Sequence, residues 1–300
     1  MIQDIFPKKL NNSFKDIKPA DNDYLLFFND GKLFLSFDAD TGLINFPLMG
    51  EFRKLKTGEA DEIYLFSIDE DKYFFKPDFL ADGKVLSGGS YYTLREIRDF
   101  KSRSDDRVFA AFTAYHLCKW YTDNHYCGRC GSGLAPDKGS FSGERHIAPE
   151  RALVCAKCGN KIYPRINPAV IIGVTDKKNN KLILTKYRTG FGHNALVAGF
   201  TEIGETLEET VAREVMEEVG LKITNVRYYK SQPWGIASDI LAGFFCDVEG
   251  DTTIHMDKTE LKYAEWVAPE DVVLQPMEYS LTNEMMKLFK ENGYEGTVNY

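Results

Sequence analysis

Several features are missing from this chain, and each absence excludes something. No run of about 18 apolar residues occurs anywhere in its 300, so no membrane span is expected. Its opening, MIQDIFPKKL, lacks the apolar core and cleavage site of a signal peptide. Its last residues, Val298-Asn299-Tyr300, form no targeting tail, and a cytoplasmic location is the expectation. Positive charge is in deficit: 37 Lys and Arg against 45 Asp and Glu give a formal net charge of −8. That balance argues against broad, non-specific nucleic-acid binding, though a local basic pocket for one phosphorylated ligand stays open. There is no internal repeat and no low-complexity tract. Cysteine is sparse at six residues, and in an intracellular chain these read as metal ligands or buried thiols rather than disulfides.

What is present describes a globular protein, with 43% apolar and 13% aromatic residues and enough length for two domains. Residues 1–122 read as an α+β domain with little motif content. YLLFF (24–28), KLFLSF (32–37) and EIYLFSI (62–68) are strand-like runs, and KYFFK (72–76) is a further one. Asn29-Asp30-Gly31 signals a hairpin between the first two. From Thr93 the alternation is lost, and Leu94, Ile97, Phe100, Phe109, Phe112, Tyr115 and Leu117 suggest two helices. His116 and Cys118 read most simply as core or surface residues.

Residues 123–162 contain Cys127-x-x-Cys130 and Cys155-x-x-Cys158, each pair followed by glycine and separated by a long segment rich in Gly, Ser and Pro. Four thiolates in two knuckles close a tetrahedral shell around Zn²⁺ and leave no open position for catalysis. Two disulfides are the alternative. His125 and His146 lie nearby and are not needed as ligands.

Residues 163–300 begin with YPRINPAVIIGVTD, whose apolar run 170–174 suits a strand buried on both faces. A turn at 176–180 and a strand at 181–188 follow, then GFTEIGETLEETVAREVMEEVGL (199–221). Thr206 and Glu209 form a capping box that opens a helix, and Gly220 stands where a left-handed residue would close it. Leu207, Val211, Val215 and Val219 make a buried stripe. Glu214, Glu217 and Glu218 share another face. Three acids that close repel one another unless Mg²⁺ or Mn²⁺ neutralises them, and clustered carboxylates are what such ions prefer. Arg213 is the expected ion-pair partner that holds Glu205 and the preceding loop. The plainer alternative is a solvated acidic helix face. Strands near 226–229, 240–248 and 263–267 and a helix over 283–290 are expected to complete the domain.

The joint pattern resembles the Nudix box, G-x5-E-x7-R-E-U-x-E-E-x-G-U with U aliphatic. Its fixed positions are filled by Gly199, Glu205, Arg213, Glu214, Glu217, Glu218 and Gly220. The four-cysteine segment ahead of it and Ser231-Gln232-Pro233-Trp234 behind it narrow the likeness. From about Cys127 to Glu260 the chain resembles the NADH pyrophosphatase (NudC-type, zinc-ribbon-containing) family of Nudix hydrolases. It departs where that family continues SQPWPFPxS, because here the text reads SQPWGIASD. Gly235-Ile236-Ala237 thus replaces Pro-Phe-Pro, and a glycine there is read as loosening the backbone.

The resemblance implies an α/β/α sandwich around a mixed sheet, preceded by a structural zinc ribbon and an N-terminal domain. It implies cleavage of the pyrophosphate bond of NADH or NAD⁺ to nicotinamide mononucleotide and AMP. Glu214, Glu217, Glu218 and Glu260 would hold Mg²⁺ or Mn²⁺, with Glu218 nearest the attacking water. Glu205 and Arg213 would hold the loop and helix together. Phe200, Ala198, Glu150, Tyr163, Gln232, Pro233, Trp234, Ser238 and Asp239 would contact substrate, and the assembly would be a homodimer. Three other functions stay open. One is removal of the NAD cap from RNA 5′ ends by the same cleavage. Another is hydrolysis of ADP-ribose or a nucleotide sugar, against which the SQPW match speaks. The third is an inactive nucleotide-binding module, against which the intact glutamates speak.

Overall fold

The structure, a computed structural model, describes residues 1–53, 62–77, 88–100, 102–142, 145–190, 192–276 and 278–300. The chain divides into two compact units. One comprises Met1–Gln3, Ile166–Trp234 and Asp239–Tyr300; the other comprises Asp4–Arg165 and Gly235–Ser238.

In the unit that begins at Asp4, Phe28–Asn29 and Lys32–Asp38 pair across a two-residue turn. Both turn residues, Asp30 and Gly31, have positive φ, which is the hairpin that Asn-Asp-Gly demands. Strands Ile63–Ile68 and Asp71–Phe75 form a second hairpin, and Tyr24–Leu26 joins it in parallel. The two expected helices are Leu94–Asp99 and Asp105–Asp123. Leu25, Phe27, Phe34, Tyr64 and Phe74 pack into one aromatic core. The cysteine segment is more ordered than an extended loop. Leu134–Pro136, Leu153–Cys155 and Lys161–Ile162 form a three-stranded sheet, and Ser140–Ser142 pairs with Arg145–Ile147. The side chain of His146 lies outside the described residues.

In the other unit we label β1 (Asn167–Asp176), β2 (Lys181–Tyr187), β3 (Val197–Phe200), α1 (Leu207–Val219), β4 (Ile223–Trp234), β5 (Asp239–Val248), β6 (Leu261–Val267) and α2 (Leu281–Gly296). The sheet order is β4-β5-β1-β2-β6, with β3 paired to β1. The β1–β5 pair is parallel and the rest antiparallel, so the sheet is mixed. Alternation along β1 puts Val170, Ile172 and Val174 on one face with Val211, Val215 and Val219 of α1. Ile171 goes to the opposite face with Leu281, Met285 and Phe289 of α2. The three valines of α1 are fully buried, each contributing at least about 1.5 kcal/mol. Met1–Gln3 attach here too, with the Ile2 amide donating to the Tyr279 carbonyl at 3.1 Å. No helix among the described residues is long and apolar enough to cross a membrane.

β4 is longer than the sequence suggests, and it carries Ser231-Gln232-Pro233-Trp234 as its last four residues. Gln232 is fully buried. Its side-chain amide donates to the Tyr279 carbonyl at 2.6 Å, and its oxygen accepts the Leu281 amide at 2.8 Å. It therefore ties the end of β4 to the first turn of α2, where helical amides lack partners. Gln232→Ala strands those two backbone groups and is expected to cost about 1–3 kcal/mol, read as a lowered melting temperature. An unchanged melt would refute this anchoring role.

Candidate active site

The helix forms as its caps require. Thr206 Oγ1 accepts the Glu209 amide at 3.2 Å, and Glu209 accepts the Thr206 amide at 2.7 Å. Gly220 closes it in the left-handed region at φ 69°.

Arg213 is the hub of the loop and helix. Its Nε and Nη2 donate to the two oxygens of Glu205 at 2.6 and 2.9 Å, and Nη2 also reaches the Phe200 carbonyl at 2.9 Å. Nη1 donates to Glu214 at 2.7 Å and Glu217 at 3.0 Å. Thr210 Oγ1 and the Glu202 amide add bonds to Glu205 at 3.0 and 3.1 Å. The Arg213 fork first, and then the Glu202 amide, hold Glu205 down at about 2. The guanidinium fits this place because its planar fork meets a carboxylate with two parallel bonds.

Glu214 and Glu218 face inward. At Gly199 an added Cβ would lie 2.0 Å from the Glu214 carboxyl carbon, so the box glycine leaves the space that this carboxyl occupies. Burial pushes Glu214 up against the pull of Arg213. Glu218 is 2% exposed. Its Oε1 accepts the Ala198 amide at 3.4 Å, and its Oε2 has no partner. Burial, opposed by the Ala198 amide and reinforced by Glu260, Glu214 and Asp257, raises it to about 8. A buried carboxylate oxygen without a donor is costly, and a hard cation bonded to oxygen would remove that cost. Tyr187, at a bulge ending β2, is pushed well up by burial and by Glu218, Glu260 and Glu214. Glu217 and Glu260 are exposed, as is the ring of Phe200.

The four cysteines have their sulfurs within 4.8 Å of one another, a set that could hold a metal ion. Cys127 and Cys158 are 3.6 Å apart, and Cys130 and Cys155 are 3.5 Å apart. These separations are far beyond a disulfide bond, so the disulfide alternative falls. Backbone amides of the knuckles, that of Arg129 foremost, lower Cys127 to about 6. Among the described residues no other set converges as closely.

Several expected contact residues are spent on each other. Glu150 Oε2 accepts from Lys161 Nζ and from the Tyr163 hydroxyl, both at 2.9 Å, and Lys161 also reaches Asp137 at 2.9 Å. This cluster and the segment Gly235–Ser238 belong to the unit that begins at Asp4, while Phe200, Ala198, Pro233, Trp234 and Asp239 belong to the other. Asp239 accepts from Asn167 Nδ2 at 3.2 Å. Gly235 does not loosen its segment. A Cβ there would come 2.1 Å from the Phe112 carbonyl oxygen, so contact rather than flexibility calls for glycine.

Asp257 escaped the sequence reading. Its amide donates to the Glu218 carbonyl at 2.9 Å, and its carboxylate accepts the Thr259 amide and hydroxyl, each at 2.7 Å. The Asp-x-Thr turn signal ahead of Glu260 was the clue.

Residues 165–289 match the NUDIX domain model. The chain is 38% identical over 162 residues to a protein of Enterobacter sp. (strain 638) called "NAD-capped RNA hydrolase NudC", covering 53% of this chain and 57% of that one. It is 36% identical over 177 residues to the protein of the same name from Escherichia fergusonii, covering 57% and 63%. The chain thus spans roughly three fifths of these curated relatives. A crystal structure of a NUDIX hydrolase from Nitrosomonas europaea aligns with a TM-score of 0.46 and 20% identity, over 57% of this chain and 93% of that one. Every fixed position of the box lies within the span 165–289 that matches the NUDIX domain model.

Proposed function

We propose that the chain hydrolyses the pyrophosphate bond of NAD(H), giving nicotinamide mononucleotide and AMP. One water is consumed and one bridging P–O bond is broken. The observation that carries this reading is Glu218: a nearly inaccessible carboxyl with one unpartnered oxygen, beside Glu214 and Glu260 and at the end of a helix that Arg213 ties to the preceding loop. Glu214, Glu217, Glu218 and Glu260 would hold Mg²⁺ or Mn²⁺. Such a cation supplies positive charge against the displaced phosphoryl group and acidifies bound water. The chain does the positioning. The Ala198 amide orients Glu218, Gly199 admits the Glu214 carboxyl, and Arg213 with Glu205 keeps loop and helix in register.

The name carried by the Enterobacter and Escherichia relatives favours a second substrate, an NAD cap on RNA, opened at the same bond to leave a 5′-monophosphate end. The net charge of −8 fits recognition of one capped end better than of a long RNA. The four cysteines would hold Zn²⁺ in a structural role.

The test is to incubate the purified protein with NADH, NAD⁺, NAD-capped RNA and ADP-ribose, each with Mg²⁺ or Mn²⁺, and to identify products by mass. Nicotinamide mononucleotide with AMP, or with 5′-monophosphate RNA, is expected. Cleavage of ADP-ribose alone would overturn the dinucleotide reading. Elemental analysis should find close to one zinc per chain, and a Cys155→Ser protein should have lost it.

A further inference from the structure

Helix α1 ends with the Glu218 and Val219 carbonyls in its last turn, where intrahelical donors run out. Both are capped by one distant segment: the His255 amide donates to Val219 at 2.9 Å and the Asp257 amide to Glu218 at 2.9 Å. Gly220 permits this approach, since a Cβ there would come 2.7 Å from that of His255. Beyond the cap the chain turns on the Asp257 side chain. Its Oδ1 accepts the amide and the hydroxyl of Thr259 at 2.7 Å each. The Asp257 carbonyl accepts the Leu261 amide at 3.0 Å, which starts β6. Across from it, the Arg188 amide holds the Glu260 carbonyl at 3.0 Å. Asp257 is therefore bonded to the backbone of Glu218, and the turn that it closes, from its Oδ1 on Thr259 to its carbonyl on Leu261, contains Glu260, so one residue links two carboxylates from segments far apart in sequence.

We propose that Asp257 is a positioning residue that sets the spacing between Glu218 and Glu260 and thereby the affinity of the site for a divalent cation. The inference rests on the reading of those two glutamates as cation ligands. Asp257 acts through backbone geometry, because the turn occupies its Oδ1. An asparagine keeps that acceptor and an alanine removes it.

The test is Mn²⁺ binding, followed by the electron paramagnetic resonance signal of the free ion, on full-length wild type, Asp257→Ala, Asp257→Asn and Glu218→Gln. Wild type is expected to show a site that Glu218→Gln lacks. Asp257→Ala should bind about tenfold more weakly or worse, the usual effect of losing a group that orients a ligand. Asp257→Asn should stay within a few-fold of wild type. Equal weakening by Asn and Ala would mean that Asp257 ligates the ion through its charge, and unchanged binding in Asp257→Ala would mean that it does nothing; either overturns the proposal. A wild type with no Glu218-dependent site would instead refute the cation reading beneath it. Should Asp257→Ala not fold, Thr259→Val removes only the hydroxyl bond and should weaken binding in the same direction by less. No effect there would also count against the turn.

Discussion

Glu218→Gln should lower dinucleotide hydrolysis by on the order of 10³-fold and, without added divalent cation at about pH 8, should raise the melting temperature. The two effects share a cause. Glu218 is held in an almost inaccessible place, with one oxygen unpartnered and other acids beside it, so the folded protein keeps its proton up to about pH 8, against 4.5 for the free side chain. Below about pH 4.5 the group is protonated in both states and contributes nothing. Between about 4.5 and 8 the folded state binds more protons than the unfolded one, so stability falls as pH rises. Above that range the full penalty is present, of the order of a few kcal/mol. Glutamine has no charge to bury, so this slope should vanish in the variant. Added Mn²⁺ should raise the wild-type melting temperature at about pH 8 and leave the variant's nearly unchanged. Thermal melts of both proteins from about pH 5 to 9, with and without Mn²⁺, read all of this. Parallel profiles would show that Glu218 is not the strained acid of the site.

Gly199→Ala should lower activity about 10²-fold, the typical cost of misplacing a reacting group by about an ångström, with little change in melting temperature. Gly199 pairs with Val170 in the β1–β3 ladder, and alanine keeps that backbone pairing. What the methyl meets is the Glu214 carboxyl, 2.0 Å away. That is the free end of a flexible side chain, so the protein yields by expelling it rather than by deforming the sheet. Kinetics at saturating Mn²⁺ beside a thermal melt distinguish the outcomes. A large fall in stability would mean that the strand, not the carboxyl, gives way.

Local structure was largely legible because its causes are local. The capping box at Thr206, the four-residue stripe of α1, the turn at Asp30-Gly31 and the alternation along β1 are written in neighbouring residues, and each element stands where those signals put it. The cysteine knuckles were legible for the same reason. The residues that surprised act across long sequence separations. The sequence marks Gln232 as part of a motif, but only the fold shows its amide spent on Tyr279 and Leu281. A glycine at 235 looks like added freedom until Phe112 is seen against it. Asp257 draws no notice until the last turn of α1 comes to rest on it.

Taken alone, the sequence determined which residues stand together: seven fixed positions at set spacing on one loop and helix, and four cysteines in two knuckles. Spacing along a helix decides which residues share a face, so chain order suffices for that. Only the tertiary structure decided their electrostatic state. Whether an acid keeps its proton depends on how many donors, acids and apolar groups from other segments surround it. Glu205 and Glu218 are both glutamates of the same box, and the fold holds one near 2 and the other near 8.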